Sequence, residues 1–230
     1  MKSGIVTAIV LFALPAAAFA QQRKEDTGER LYTDRAGYEE LNFGLRASMP
    51  MGDLFKGQEW DDVYKMGMGL EVQYVDLWKS SRGIYGGWYG GIALESFGGR
   101  RFTNPDFGGQ QFKSDRLNLA SAEVGIWFRE DFKTFRFDQH IGVGATFYGG
   151  TDIVDTQIPG SEGEFIESSI SYMFTVAMRV GAPIGDGCEL GIGFAYRING
   201  TPKEGEGARG VVNFKPLQEV IIALTLDFVF

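Results

Sequence analysis

His140 is the only histidine in this chain of 230 residues, and Cys188 is the only cysteine. Together they cap the acid–base and nucleophilic chemistry open to it. A transition-metal site gathers several imidazole, thiolate or carboxylate ligands, and one residue of each nitrogen and sulfur type leaves no plausible set. A lone cysteine also forms no internal disulfide. His140 could act as a general base only with a hydroxyl in hydrogen-bond reach and an acid to orient its ring. The residue two places on is Gly142, and nothing local supplies the hydroxyl. A histidine whose ring nitrogens are satisfied structurally is the simpler account. The expectation is therefore no catalytic residue, no metal site and no cofactor.

Two other stretches could hold ions. Asp152, Asp155, Glu162, Glu164 and Glu167 crowd carboxylates into 149–167. Their spacing does not match an EF-hand calcium loop, so a solvated surface loop is expected. Gly205 and Gly207 lie near Lys203, but no helix follows to supply the amide-lined N-terminus of a phosphate site. The formal net charge is −8, and nothing basic recommends nucleic acid as a partner.

The remaining charges are scattered at single positions among apolar residues: Arg46, Lys65, Glu71, Glu95, Glu123, Arg136, Asp138, Arg179, Glu189, Arg197, Glu219 and Asp227. What positions them is a period of two. From residue 40 onward apolar and polar residues alternate in runs of about ten, the signature of strands rather than helices. The first run, 40–49, sets Leu41, Phe43, Leu45, Ala47 and Met49 against Asn42, Gly44, Arg46 and Ser48. The second sets Tyr64, Met66, Met68, Leu70, Val72 and Tyr74 against Lys65, Gly67, Gly69, Glu71 and Gln73. Five more follow, beginning near residues 84, 120, 135, 170 and 189, and the eighth is 218–230. The connections alternate long (50–63, 98–115, 149–167, 199–217) and short (79–83, 129–134, 183–187). The second and fourth long loops could each hide a short hairpin, which would make ten strands.

The polar face is rich in glycine (Gly67, Gly69, Gly142, Gly144, Gly191, Gly193) punctuated by charge. Glycine weakens a solvated strand and packs nothing, but it suits a narrow interior. The apolar face carries more long aliphatic and aromatic residues than a small barrel could enclose. That arrangement fits apolar residues outward in lipid, with Trp78 and Phe128 at the turn ends as an interfacial girdle. A soluble barrel would have the faces reversed. The mean hydropathy of −0.10 does not conflict, because barrel strands dilute their apolar face with a polar one. An eight-stranded interior is only wide enough to be filled by side chains. Its charges, with both signs in similar numbers, must then be paired.

The final run, QEVIIALTLDFVF, places Val220, Ile222, Leu224, Leu226, Phe228 and Phe230 on one face without polar interruption. Such a face on an open edge would invite aggregation, whereas closure in lipid covers it. This stretch resembles the C-terminal signature strand of bacterial outer-membrane proteins. The resemblance extends over the whole chain after the leader to the family of small outer-membrane β-barrel proteins. It implies an all-β, antiparallel up-and-down transmembrane barrel of about eight strands. It also implies that the assembly machinery recognises the strand ending in Phe230. Some barrels resembling this one are lipid A deacylases, with a serine two residues after the histidine; here Gly142 holds that place.

Residues 1–20 read as a cleaved signal peptide, with Lys2, an apolar core and Ala18-Phe19-Ala20 before Gln21. Residues 21–39 read as a flexible periplasmic lead-in and 40–230 as the barrel domain. The expected protein is a monomer in the bacterial outer membrane, with outer-membrane lipid around it and its interior plugged by charged side chains. Its expected role is structural or surface interaction through the long loops. A porin-like small-solute channel and a lipid A-modifying enzyme are the alternatives.

Overall fold

In the computed structural model, the residues described are 37–81, 83–104, 109–132, 134–158, 161–185, 187–207 and 213–230. The expected signal peptide, 1–20, and most of the expected lead-in, 21–39, lie outside them. In chain order the first strands are β1 (Gly37–Met51), β2 (Asp53–Phe55), β3 (Gln58–Glu59), β4 (Tyr64–Ser81) and β5 (Ile84–Gly99). The middle of the chain gives β6 (Arg101–Asn104), β7 (Gln110–Ser114), β8 (Leu117–Asp131), β9 (Arg136–Tyr148), β10 (Thr151–Asp155) and β11 (Glu162–Glu167). The rest comprises β12 (Ser169–Gly185), β13 (Cys188–Asn199), β14 (Lys203–Glu204) and β15 (Leu217–Val229). A single helical turn, Trp60–Val63, sits between β3 and β4.

Eight strands close into one antiparallel barrel in the order β1, β4, β5, β8, β9, β12, β13, β15. β15 completes the ring by pairing with β13 on one side and β1 on the other. The Phe230 amide donates to the Glu39 carbonyl at 2.9 Å, extending that seam. Closure leaves no barrel edge with unpaired backbone, the condition a strand must meet inside lipid. β1 begins at Gly37, so the ordered barrel takes in three residues that the sequence reading left in the lead-in.

Alternation sorts the side chains cleanly. Leu45, Met68, Ile92, Leu94, Val124, Val143, Ile170 and Ile192 are exposed on the outside. Arg46, Glu123, Asp138, Arg179, Arg197 and Glu219 are buried inside. An apolar outside around a charged inside is the inverse of a soluble barrel, and it is the distribution of a barrel that spans a bilayer. Trp78 and Phe128 stand outward at the turn end, as expected of girdle residues. Inside, the missing side chains of Gly125 and Gly142 make room for Tyr89. A Cβ on Gly142 would lie 2.1 Å from the Tyr89 hydroxyl.

Two details of the sequence reading are corrected. The pairing of β4 with β5 shifts between Tyr64 and Gly67. This bulge turns Tyr64 inward, fully buried, and leaves Lys65 exposed rather than in the interior. The short turns are also tighter than the apolar alternation suggested. β4 runs to Ser81, β8 to Asp131 and β12 to Gly185, because backbone pairing continues after the outward residues become polar.

The long connections are folded rather than loose. Strands β14, β11, β10, β7 and β6 make a separate five-stranded sheet, and β2 pairs with β3 in a small hairpin. The second long connection does hold a hairpin, β6 with β7, but it joins this outer sheet and the barrel keeps eight strands. Trp60, Phe165 and Phe214 from the connections pack with Tyr64, Phe97, Leu117, Tyr148 and Leu217 from the loop ends of the barrel strands. This apolar core caps the barrel at its loop end. The acidic run 149–167, expected as a solvated loop, is mostly the paired strands β10 and β11. Asp155 is buried and accepts from the Gln157 amide at 2.8 Å.

Candidate functional site

The charged interior falls into two ionic clusters separated by an aromatic layer. Nearest the short turns, Arg129, Arg136 and Arg179 interleave with Glu40, Asp138 and Asp227. Arg129 donates to Glu40 (Nη2 to Oε2, 2.8 Å) and to Asp138 (Nε to Oδ1, 2.7 Å). Arg136 donates to Glu40 at 2.9 Å and Asp227 at 2.7 Å, and also pairs with Glu189. Arg179 donates to Asp227 at 2.8 Å and Asp138 at 2.9 Å. Each of the three carboxylates is thus shared by at least two guanidinium groups. Sharing of this kind offsets the large cost of desolvating a charge. Tyr38 closes the end of the cluster, donating to Asp131 at 2.9 Å with the Arg129 guanidinium over its ring at 5.4 Å.

The second cluster lies toward the cap. Arg46 approaches Glu71 and Glu95, each at 3.5 Å. Arg197 approaches Glu95 at 3.2 Å and Glu123 at 3.7 Å, and its Nε donates to Thr175. Ser48 donates to Glu95, and Asn199 donates to Glu219. A cavity of about 30 Å³ opens here, lined by Arg46, Glu71, Gln73, Glu123, His140 and Arg197. Arg46 Nε, Glu123 Oε2, His140 Nδ1 and Tyr89 OH are buried without hydrogen-bond partners among the described residues. A polar space of this size holds a water or two, which would satisfy such atoms.

Between the clusters the His140 ring stacks on Trp127 (centroids 4.3 Å apart, planes 9° apart) and meets Tyr89 edge-on at 4.8 Å. The Arg179 guanidinium also lies over Trp127, 4.8 Å from its ring centroid. Among the described residues His140 makes no hydrogen bond to a hydroxyl, the contact an activated nucleophile would need.

The sequence reading placed Arg46, Glu71, Glu95, Glu123, Arg136, Asp138, His140, Arg179, Glu189, Arg197, Glu219 and Asp227 on the inner face, and the structure puts all of them there. It missed Glu40, Arg129 and Asp131, which are buried as well. Arg129 falls in the short connection 129–134 of the sequence reading. The signal was available, since Arg129 and Asp131 continue the phase of Glu123 and Trp127, and Glu40 shares the phase of Asn42. With these included, the two signs are no longer balanced. Five arginines face nine carboxyl groups among the described residues.

The other sequence candidates do not converge. Asp152 lies opposite Glu164 across β10 and β11, and Glu167 pairs with Lys203 at 2.5 Å. Among the described residues no group of three or more His, Cys, Asp or Glu side chains is placed to hold a metal ion. The Gly205 and Gly207 amides are spent on the carbonyls of Phe165 and Glu164, at 3.0 and 2.9 Å. Cys188 is a half-buried free thiol.

No protein-family model matches the chain, and no curated protein does either. Among solved structures it is similar to the attachment invasion locus protein Ail of Yersinia pestis, at 12% identity and a TM-score of 0.46, covering 84% of this chain and 100% of that one. It is also similar to OprG of Pseudomonas aeruginosa, at 9% identity and a TM-score of 0.47, covering 85% and 97%. A major outer-membrane protein of Thermus thermophilus gives 12% identity and a TM-score of 0.47, covering 84% and 99%. By its own geometry, with eight strands closed on themselves, charge within and an apolar belt without, the chain is an antiparallel up-and-down transmembrane β-barrel.

Proposed function

We propose that this protein is a monomeric, non-enzymatic barrel of a bacterial outer membrane whose interior is sealed, and that it acts through the cap built on its long connections. The observation that carries this reading is the continuous filling of the interior. From the turn end there follow a hydrogen-bonded ionic cluster, an aromatic layer, a second ionic cluster and an apolar cap. Ions would have to break several buried pairs to pass, each costly to disrupt. What supports a surface role is the cap itself, since long connections on a rigid scaffold are where binding residues concentrate. His140, held between Trp127 and Tyr89 without a hydroxyl partner among the described residues, supports leaving catalysis out. The strand ending in Phe230, the closing member of the ring, would be the segment that the assembly machinery recognises.

Planar bilayers containing the purified protein test the seal. The expected trace is flat, without unitary current steps. Steps that change in size in Glu123→Gln would instead establish the small-solute channel. That second reading has one observation in its favour, the cavity beside Glu123 in the looser cluster.

A further inference from the structure

A groove of about 480 Å³ runs down the outer surface of the barrel near its loop end. Leu70, Leu94, Ala120 and Phe147 form one rung across β4, β5, β8 and β9. Ala120 is therefore a low floor between the taller Leu94 and Phe147. One rung nearer the cap come Met68, Ser96 and Asn118. There Ser96 Oγ donates to Asn118 Oδ1 at 2.7 Å on the exposed surface, a polar pair that marks the upper border of the apolar belt.

Two cations stand just above that border. Lys65, displaced outward by the bulge in β4, runs beside Gly98, its Cδ 3.6 Å from where a Cβ on Gly98 would sit. Arg116 and Gly98 each lie one residue beyond the paired Phe97 and Leu117. Neighbouring strands are about 4.8 Å apart, so Lys65 and Arg116 flank a bare glycine at a separation of about 10 Å. Both are exposed, and among the described residues neither has an ion-pair partner. The carboxylates of this sector are exposed too: Asp115, Asp61, and Asp62, which accepts from the Glu59 amide. In water those charges are screened, whereas a phosphate seated on the glycine would meet both cations directly.

We propose that this sector retains one phosphorylated lipid of the outer leaflet, with an acyl chain laid in the groove over Ala120 and a phosphate between Lys65 and Arg116. The height of the two cations matches the occupant. They sit where headgroups meet water, directly above a channel that opens into the hydrocarbon, and anionic lipid is drawn to basic residues at that level. The site is on the outer wall, so it stands whether or not the interior conducts.

Native mass spectrometry of the full protein in detergent, with bisphosphorylated lipid A as the probe, tests this. A one-to-one adduct is expected, weakened about tenfold for each cation removed in Lys65→Gln and Arg116→Gln. Ala120→Phe, which fills the groove, should lose the adduct with both cations intact. A heat-induced mobility shift on a gel verifies that each variant is still a barrel. The unmodified protein gives a second comparison that needs no variant, because lipid A stripped of its phosphates should bind far more weakly. Equal retention of the two lipids, or of lipid A by the protein and the double variant, would overturn the proposal. Displacement of lipid A by an equal concentration of inorganic phosphate would overturn it as well, leaving only an anion patch.

Discussion

The two ionic clusters are built from the same types of side chain, arginine and carboxylate, and differ in how closely those groups meet. In the turn-side cluster the bonds from Arg129, Arg136 and Arg179 to Glu40, Asp138 and Asp227 include six between 2.7 and 2.9 Å. In the cap-side cluster Arg46 and Arg197 meet Glu71, Glu95 and Glu123 at 3.2 to 3.7 Å. Among the described residues Arg46 Nε and Nη1, Glu123 Oε2 and Glu219 Oε2 lack hydrogen-bond partners there, against Asp131 Oδ1, Arg136 Nε and Glu189 Oε2 at the turn end. The clusters therefore differ in bond length more than in the number of unsatisfied atoms. A buried pair stabilises only when its geometry is good and its other lone pairs and protons are also used. The turn-side cluster comes nearer to that condition, with its three central carboxylates each bonded by two guanidinium groups. The cap-side cluster meets it partly and leaves room for water, so rearrangement of the interior should begin there.

Breaking the tight cluster should have the largest effect. Asp138→Asn removes the charge that Arg129 and Arg179 share and puts amide N–H donors against guanidinium donors, and should cost about 3–5 kcal/mol, read as a lower urea midpoint in detergent micelles. Arg197→Met tests the loose cluster. Because the pairs it removes are longer and a cavity adjoins them, the loss should be smaller, about 1–3 kcal/mol. If Arg197→Met proved the more destabilising of the two, the contrast between the clusters would be wrong. Lys203→Ala supplies the baseline. Its bond to Glu167 is 2.5 Å, shorter than the six of 2.7 to 2.9 Å in the turn-side cluster, but both partners are partly exposed. A solvated pair contributes about 0–1 kcal/mol, so this variant should be nearly silent. Taken together, the three variants separate bond length from burial as the source of stability.

Much of this was legible in the sequence, for a physical reason. An outward residue in lipid must be apolar and an inward one in a narrow interior must be small or paired, so β12 and β15 show their phase residue by residue. Glycine beside charge, as at Gly142 and Asp138, reported a crowded interior correctly. The phase was lost where its cause was lost. Near the short turns the outward residues reach water, apolar alternation stops, and Arg129 read as a turn although its strand continued. At Lys65 a one-residue bulge reversed the faces, and single-strand periodicity carries no notice of a bulge set by pairing with β5. The cap was invisible because its core is assembled from Trp60, Phe97, Phe165 and Phe214, which lie on four different stretches. None of those stretches is apolar enough to be conspicuous by itself. Pairing of the charges needed the register, which depends on contacts between residues far apart in the chain.

The seam between β1 and β15 bears on how the barrel is made. Glu40 pairs with Val229, so the two strands that meet there are almost the whole chain apart, and joining such distant segments is slow because loop-closure entropy is lost before the contact is gained. Hairpins along the chain can form early, but the ring stays open until β15 docks. The turn-side cluster straddles that seam, with Glu40 from β1, Asp227 from β15 and Arg136 bonded to both. A barrel closed with β15 slipped by two residues would keep its apolar face outward and look correct to lipid, yet Asp227 would be carried away from Arg136 and Arg179. The ionic cluster thus acts as a proofreading latch, distinguishing the right closure from the near-misses that hydrophobicity alone would accept.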